Sequence, residues 1–377
     1  MSKAPHLLYL VTEDWYFCSH RLQLATAACK AGYEVTVATR VQEHAAQIQD
    51  AGINLVPLRL SRRSQNPVRE SRSLAQIAAL YRRLRPDIVH HVATKPVIYG
   101  SLAAWATGTP AVVNALGGLG YVFSSEDTKA RLLRPAILSC YRHLLDRAGS
   151  RVIVQNPDDL ATLTRHHLVD RDHAVLIAGS GVNVSLFSNM PERAGEPLVV
   201  LPARMLRDKG VAEFVAAARQ LKQQGVAARF ALVGKPDPEN PATIPEGTLR
   251  GWEEEGVIEY WGWREDMADV FQRCHIVCLP SYREGLPKAL IEAAACGRAI
   301  VTTDVPGCRD VVSDGENGFL VPARDTASLA LALLRLIDHP DLRARMGQRG
   351  RQRAVSEFAI DRVIAATLDV YRQSLHE

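Results

Sequence analysis

Short apolar runs alternate with helical patterns along the whole chain. Residues 7–11 read as a strand and 19–31 as a helix closed by Gly32. Residues 34–39 are a second strand, a second helix ends at Gly52, and 53–57 form a third strand. A helical pattern over 74–84 leads into a strand at 88–91. Residues 97–106, 111–114, 131–146, 151–155 and 174–177 continue the alternation. Strands that leave through a glycine and return by a helix predict parallel, doubly wound α/β structure.

The rhythm pauses at 188–197, Ser-Asn-Met-Pro-Glu-Arg-Ala-Gly-Glu-Pro, which reads as a linker. It restarts with strands at 198–201, 229–233, 258–261, 276–279 and 299–302, and helices dominate from Thr326 onward. The chain has 377 residues, beyond the size at which one hydrophobic core keeps growing. The expected division is an α/β domain over 1–190, a second over 191–360 and a final helix over 361–377. Ligands of open α/β sheets sit at the carboxyl ends of strands, so a cleft between two such domains is the expected site.

Composition narrows the class. Hydrophobic residues make up 47% and charged residues 23%, which excludes disordered and low-complexity readings. The seven cysteines include no Cys-x-x-Cys pair, so zinc ribbons and disulfide frameworks are unsupported. The apolar run after His6 is short and meets Glu13-Asp14, which argues against a signal peptide. Residues 97–123 carry no charge, but Thr107-Gly108-Thr109-Pro110, Asn114 and Gly117, Gly118 and Gly120 break them up. A helix, a turn and a strand account for them better than a membrane span.

Net charge is +4 but unevenly placed. The window 59–85 holds eight arginines (59, 62, 63, 69, 72, 82, 83, 85) against the single acid Glu70. Apolar residues at 74, 77, 80, 81 and 84 make its helical part amphipathic. One reading is a core-facing stripe with a solvated basic face. The other is a face that meets anionic lipid while some arginines, among them Arg62, Arg63, Arg69 and Arg72, reach an acceptor diphosphate. No aromatic stacking platform interleaves the arginines, so nucleic acid is not an expected partner.

The most informative segment runs from Leu279 to Glu292. A strand ends at Leu279, a loop carries Glu284-Gly285-Leu286, and Pro287 is suited to the first helical position. Backbone N–H groups at such a helix start form an anion site, and Gly285 permits close approach. Glu284 and Glu292 beside an anion suit sugar or ribose hydroxyls better than phosphate. A second Glu-x7-Glu pair, Glu246/Glu254, lacks the strand-loop-helix context. After the first strand of the second half, Arg204 and Lys209 leave a strand end five residues apart. They can converge on one diphosphate, the arginine as a fork and the lysine as a point charge.

Taken together, Arg204-x4-Lys209-Gly210, residues 179–187, Glu284-Gly-Leu-Pro-x4-Glu292, residues 297–303 and Asp314-Gly-x-Asn-Gly318 resemble the family 4 glycosyltransferases of the GT-B fold. Residues 91–100 and 118–123 resemble the capsule and lipid-linked-oligosaccharide branch of that family. The resemblance implies two doubly wound domains and a last helix that crosses back to the first. It implies retaining, metal-independent transfer from a nucleotide-diphospho-sugar, without a cofactor. The branch suggests UDP linked to an N-acetylhexosamine, and a polyprenyl-diphosphate saccharide as acceptor at the cytoplasmic membrane face. Arg204 and Lys209 would then bind the donor diphosphate, Glu284 would face the donor sugar, and Glu292 would accept from the ribose. Gly285, Leu286, Pro287 and Arg264 would complete the donor side. Lys95, His20, Gly117 and Gly118 would lie on the acceptor side with the arginines.

The chemistry agrees with that assignment. Departure of the diphosphate builds negative charge, which two cations and a helix start offset. Asp170-Arg171-Asp172 matches a metal-binding Asp-x-Asp pattern but reads as a solvated turn. The family's usual account of retention is same-face attack guided by the leaving phosphate, so no nucleophile is assigned. Two departures stand out. Many relatives have a Gly-Gly pair after the first strand, where this chain has Trp15-Tyr16. Many have a histidine after the fifth strand, where it has Leu116-Gly117-Gly118. His20, His90 and His91 are the nearby histidines, and a structural role suits each better than a catalytic one. Rival readings are a transferase with a soluble acceptor, a sugar-nucleotide epimerase of the same fold, and a non-catalytic scaffold. The ordered Arg-Lys and Glu-x7-Glu set weighs against the last two.

Overall fold

The computed structural model describes residues 4–62, 66–119 and 128–376. The chain forms two compact units, Met1–Ser180 with Val363–Glu377, and Gly181–Arg362. The first unit carries β1 (His6–Glu13), β2 (Glu34–Arg40), β3 (Asn54–Pro57), β4 (Ile88–Val92), β5 (Ala111–Leu116), β6 (Ser150–Val154) and β7 (Ala174–Leu176). They form one seven-stranded sheet in the order β3-β2-β1-β4-β5-β6-β7. Every neighbouring pair runs parallel.

Central strands of such a sheet are covered on both faces, so they read as nearly continuous apolar runs. All eight residues of β1 are buried. Alternation sends Leu7, Tyr9 and Val11 to one core, with Phe17, Ala25 and Tyr371. Leu8 and Leu10 go to the other, with Ile77, Leu80 and Tyr81 of the Pro67–Leu84 helix. The helix expected over 19–31 is two helices, Asp14–His20 and Leu22–Lys30, interrupted at Arg21. The helix expected from residue 74 starts at Pro67, because Asn66 caps Val68 N–H at 3.0 Å and proline fits the first turn.

The last helix, Ile360–His376, belongs to the first unit's core through Val363, Val370 and Tyr371. The Tyr371 hydroxyl lies 2.8 Å from the Tyr9 hydroxyl and 2.5 Å from His90 Nδ1. Residues 362 positions apart are thus joined inside one core.

The second unit carries β8 (Leu198–Pro202), β9 (Arg229–Val233), β10 (Glu259–Gly262), β11 (Ile276–Leu279), β12 (Ala299–Thr303) and β13 (Gly318–Val321). Their order is β10-β9-β8-β11-β12-β13, again with parallel neighbours. The unit begins at Gly181, ten residues before the expected boundary. The segment read as a linker is laid down on this unit instead. Arg298, 1% exposed, donates to the Met190 carbonyl. His275 Nε2 is 2.8 Å from the Arg193 carbonyl, Arg343 grips the Glu192 carboxylate at 2.9 Å, and Arg351 donates to the Phe187 carbonyl at 2.8 Å. None of these partners is near 188–197 in sequence, so the composition of that stretch could not reveal them. Likewise, the unit runs to Arg362, two residues past the expected 360. Among the described residues no helix is long and apolar enough to cross a membrane.

The shared Tyr371 hydroxyl gives a direct test. Tyr371→Phe should cost about 1–3 kcal/mol by stripping a partner from buried Tyr9 and His90. Tyr371→Ala should cost about 3–5 kcal/mol by adding a cavity. Urea unfolding measures both, and an unchanged midpoint in Tyr371→Phe would mean the hydroxyl is energetically idle.

Candidate active site

A polar cluster of the second unit stands at the carboxyl ends of its central strands. Beyond β8 the chain passes Arg204 and makes a 3₁₀ turn over Arg207–Lys209. Gly210 then enters the Val211–Gln223 helix in a left-handed conformation, φ 70°. A side chain there would meet the Pro280 carbonyl at 2.1 Å, so only glycine lets this turn press on the exit of β11. Tyr282 N–H donates to the Asp208 carbonyl at 2.9 Å and locks the two loops together.

That contact brings the chemistry-bearing side chains into reach. Lys209 Nζ donates to Glu284 Oε1. The same oxygen accepts from the Ser281 hydroxyl at 2.7 Å. Glu284 N–H donates to the Pro306 carbonyl at 3.2 Å. Gly307, at φ 84°, leaves room for the carbonyl of Gly285, which a Cβ would meet at 2.6 Å. The loops after β8, β11 and β12 therefore hold Glu284 and Gly285 from three sides. Arg204 Nη1 pairs with Asp237 Oδ2 at 2.7 Å, from the loop after β9. Asp237 is itself fixed by its N–H donating to Thr243 Oγ1 at 2.9 Å.

Pro287 is the N-cap of the Lys288–Ala295 helix rather than its first residue, and Leu286 is buried behind it. Glu292 lies on that helix, buried, with Lys288 Nζ at 3.1 Å. Burial raises its carboxyl above the usual range, and Lys288 partly offsets this. Arg264 stands apart, held in a two-pronged pair by Asp266 with Nε to Oδ1 at 2.7 Å. Cys308 lies near Glu284, and burial pushes its thiol up to about 12, so it stays protonated. Sequence reasoning missed Asp237, Ser281 and Gly307. Their one signal is position just after a strand end.

The first unit places its predicted residues differently. The His20 ring stacks on Tyr16 with centroids 4.1 Å apart and planes 6° apart. A Cβ on Gly117 would sit 3.4 Å from the Tyr16 hydroxyl, and Gly118 has φ 107°. Lys95 donates to the Ser61 carbonyl at 2.6 Å and pairs with Glu70 at 2.8 Å. Arg62 lies 3.7 Å from Glu13, Arg69 and Arg72 are exposed, and Arg63 lies outside the described residues. His90 and His91 are interior. His91 bonds Asn114 at 2.8 Å and Tyr81 at 3.0 Å, and burial lowers its pKa to about 4. Asp170 accepts from Arg171 N–H at 2.8 Å and caps the short turn over Arg171–His173.

Comparison with known proteins completes the assignment. The model for "Glycosyl transferase 4-like" domains matches residues 6–156, and that for "Glycosyl transferases group 1" matches 196–339. The chain belongs to the family 4 glycosyltransferases. It has the GT-B fold and is a nucleotide-sugar-dependent hexosyltransferase. It is 29% identical to the N,N'-diacetylbacillosaminyl-diphospho-undecaprenol α-1,3-N-acetylgalactosaminyltransferase of Campylobacter jejuni, over 85% of this chain and 86% of that one. It is 24% identical to the UDP-Gal:α-D-GlcNAc-diphosphoundecaprenol α-1,3-galactosyltransferase of Escherichia coli, over 81% of this chain and 80% of that one. HepE of Anabaena, solved with UDP and glucose, superimposes with a TM-score of 0.79 at 15% identity, over 97% of this chain and 99% of that one.

Glu292 carries a pH signature. Its raised pKa means the folded chain keeps a proton that the unfolded chain has already lost. Stability from this group is therefore full in acid and falls as pH rises through the raised value. Relative to wild type, Glu292→Gln should gain stability between acid and neutral pH. Urea midpoints across that range check it, and a constant difference would remove the burial argument.

Proposed function

We propose that this transferase moves an N-acetylhexosamine from UDP to a polyprenyl-diphosphate-linked saccharide, with retention and without a metal ion. The observation that carries the donor half is the pairing of Lys209 with Glu284 and of Arg204 with Asp237 at neighbouring strand ends. Lys209 is held by Glu284 in the loop that leads into the Lys288–Ala295 helix, and Arg204 by Asp237. An incoming diphosphate competes for them. As the sugar C1–O bond to the diphosphate breaks, charge grows on the leaving oxygens. Lys209, Arg204 and the backbone at the helix start offset it. The acceptor oxygen bonds C1 on the same face, and its proton passes to the leaving phosphate. Glu284, freed from Lys209, is placed to accept from sugar hydroxyls, and Glu292 from the ribose.

The acceptor half rests on the two diphospho-undecaprenol transferases named above and on the arginine-rich stretch of the first unit. Exposed Arg69, Arg72, Arg82 and Arg83 on the Pro67–Leu84 helix suit an anionic surface. Each contributes about 1 kcal/mol there, enough in sum for reversible docking at the cytoplasmic membrane face.

Incubation with a panel of nucleotide sugars and undecaprenyl-diphosphate saccharides should give transfer from a UDP-sugar that persists in excess chelator. Loss with chelator and recovery with Mg²⁺ or Mn²⁺ would overturn the metal-free account. In the same assay Lys209→Ala should lower kcat by about 10²–10³ while the melting curve stays unchanged. Near-wild-type turnover would remove Lys209 from the diphosphate site.

Docking predicts co-sedimentation with phosphatidylglycerol vesicles that falls steeply with salt. A wild-type protein that ignores such vesicles at low salt favours a soluble acceptor.

A further inference from the structure

The first unit contains a groove that the donor chemistry does not use. Its volume is about 1010 Å³, and it opens at the carboxyl ends of β2 and β3. Arg40 comes from the end of β2, Arg59 from the segment after β3, and Arg69 and Arg72 from the first turns of the Pro67–Leu84 helix. Thus four arginines from three separate stretches of chain line one concave surface. A size near the upper end of small-molecule sites leaves room for a headgroup and the start of a chain.

The groove's charge is largely uncompensated. Its only lining carboxylate among the described residues, Glu70, is engaged by Lys95 at 2.8 Å and by the Tyr99 hydroxyl at 2.5 Å. Arg40 is anchored by Glu13 at 3.0 Å. Arg59, Arg69 and Arg72 are exposed, and among the described residues none has a carboxylate within ion-pair distance. Forked donors lining one groove without a counter-charge match a ligand with several anionic oxygens close together. Among the described residues the lining has no aromatic ring for a nucleobase to stack on. It does offer Val41, Leu58 and Leu60, and Val68 stands 58% exposed beside Arg69.

We infer that this groove binds the diphosphate of a prenyl-diphosphate-linked acceptor through Arg59, Arg69 and Arg72, with Arg40 as its fixed wall and Val41 against the first isoprene unit. The inference rests on the lipid-linked acceptor reading and gives it a place. It assigns the recognition to a pocket of this fold rather than to diffuse charge on the helix, and it brings in Arg40 and Arg59.

The test titrates the full-length protein with citronellyl diphosphate, a short water-soluble prenyl diphosphate, in the absence of any bilayer. Wild type should bind it. The Arg59→Ser/Arg69→Ser/Arg72→Ser variant should lose about tenfold or more in affinity, the scale of hydrogen bonds to charged groups. The matching triple Lys variant, which keeps charge but loses the forks, should fall between the two. Gln76→Glu, which adds a carboxylate to the lining, should weaken binding without removing any arginine. UDP affinity should be unchanged in all of them.

Undiminished binding in the Ser variant overturns the groove. So does a wild type that binds phosphatidylglycerol vesicles but not citronellyl diphosphate, because the arginines then serve a lipid surface alone. Transfer assays separate this from the acceptor reading. If lipid-linked saccharides are glycosylated with the same KM in the Ser variant, the groove falls and the acceptor reading stands. If none is glycosylated, yet the Ser variant loses citronellyl diphosphate, the acceptor reading falls and the groove stands.

Discussion

Parallel pairing of strands far apart in sequence is the constraint on which this protein's chemistry depends. In an all-parallel sheet every strand delivers its exit loop to the same edge. β8 pairs with β11, Val199 opposite Ile276, although the two are separated by β9 and β10 in sequence. Lys209 and Glu284, 75 positions apart, therefore meet. An antiparallel arrangement of the same neighbours would send those loops to opposite edges. The glycines at 210 and 307 then let the loops close to backbone contact, where any side chain would collide with a carbonyl.

The two sets of cations live in different dielectric surroundings, and that explains their different partners. Lys209 is largely withdrawn from solvent, and Arg204 is about two-thirds withdrawn. A half-buried charge without a partner is costly, so each carries a carboxylate. Arg59, Arg69 and Arg72 stay hydrated, and a hydrated guanidinium needs no partner to be tolerated. The first arrangement is a preorganised site with its charges already balanced. The second is an open field available to an anion that arrives from solution or from a surface.

The histidines show how burial limits chemistry. His90 and His91 are adjacent on β4 and point to opposite faces of one sheet. His90 bonds the hydroxyl that Tyr371 shares with Tyr9, and His91 is held by Asn114 and Tyr81. Burial keeps both neutral at physiological pH, and the bonds fix their orientation. His90 thereby fastens the final helix to the first unit, while His20 stays at the surface against Tyr16.

The sequence alone determined the doubly wound class, the strand positions and the residue types of the candidate site. These follow from local rules: apolar runs mark strands buried on both faces, glycines mark sharp exits, and charged residues at strand ends mark candidate ligand contacts. Arg204, Lys209 and Glu284 were legible for that reason. Tertiary structure decided which charges were already matched and where each unit ended. Nothing local reveals that Asp237 holds Arg204, that Ser281 shares Glu284 with Lys209, or that Arg298 and Arg343 bind the segment before Leu198 to the second unit. Nor could spacing tell that Lys95 and Arg62 are paired to acids while Arg59, Arg69 and Arg72 line a groove. Such pairings depend on distance in space, and strand order in the sheet sets that distance.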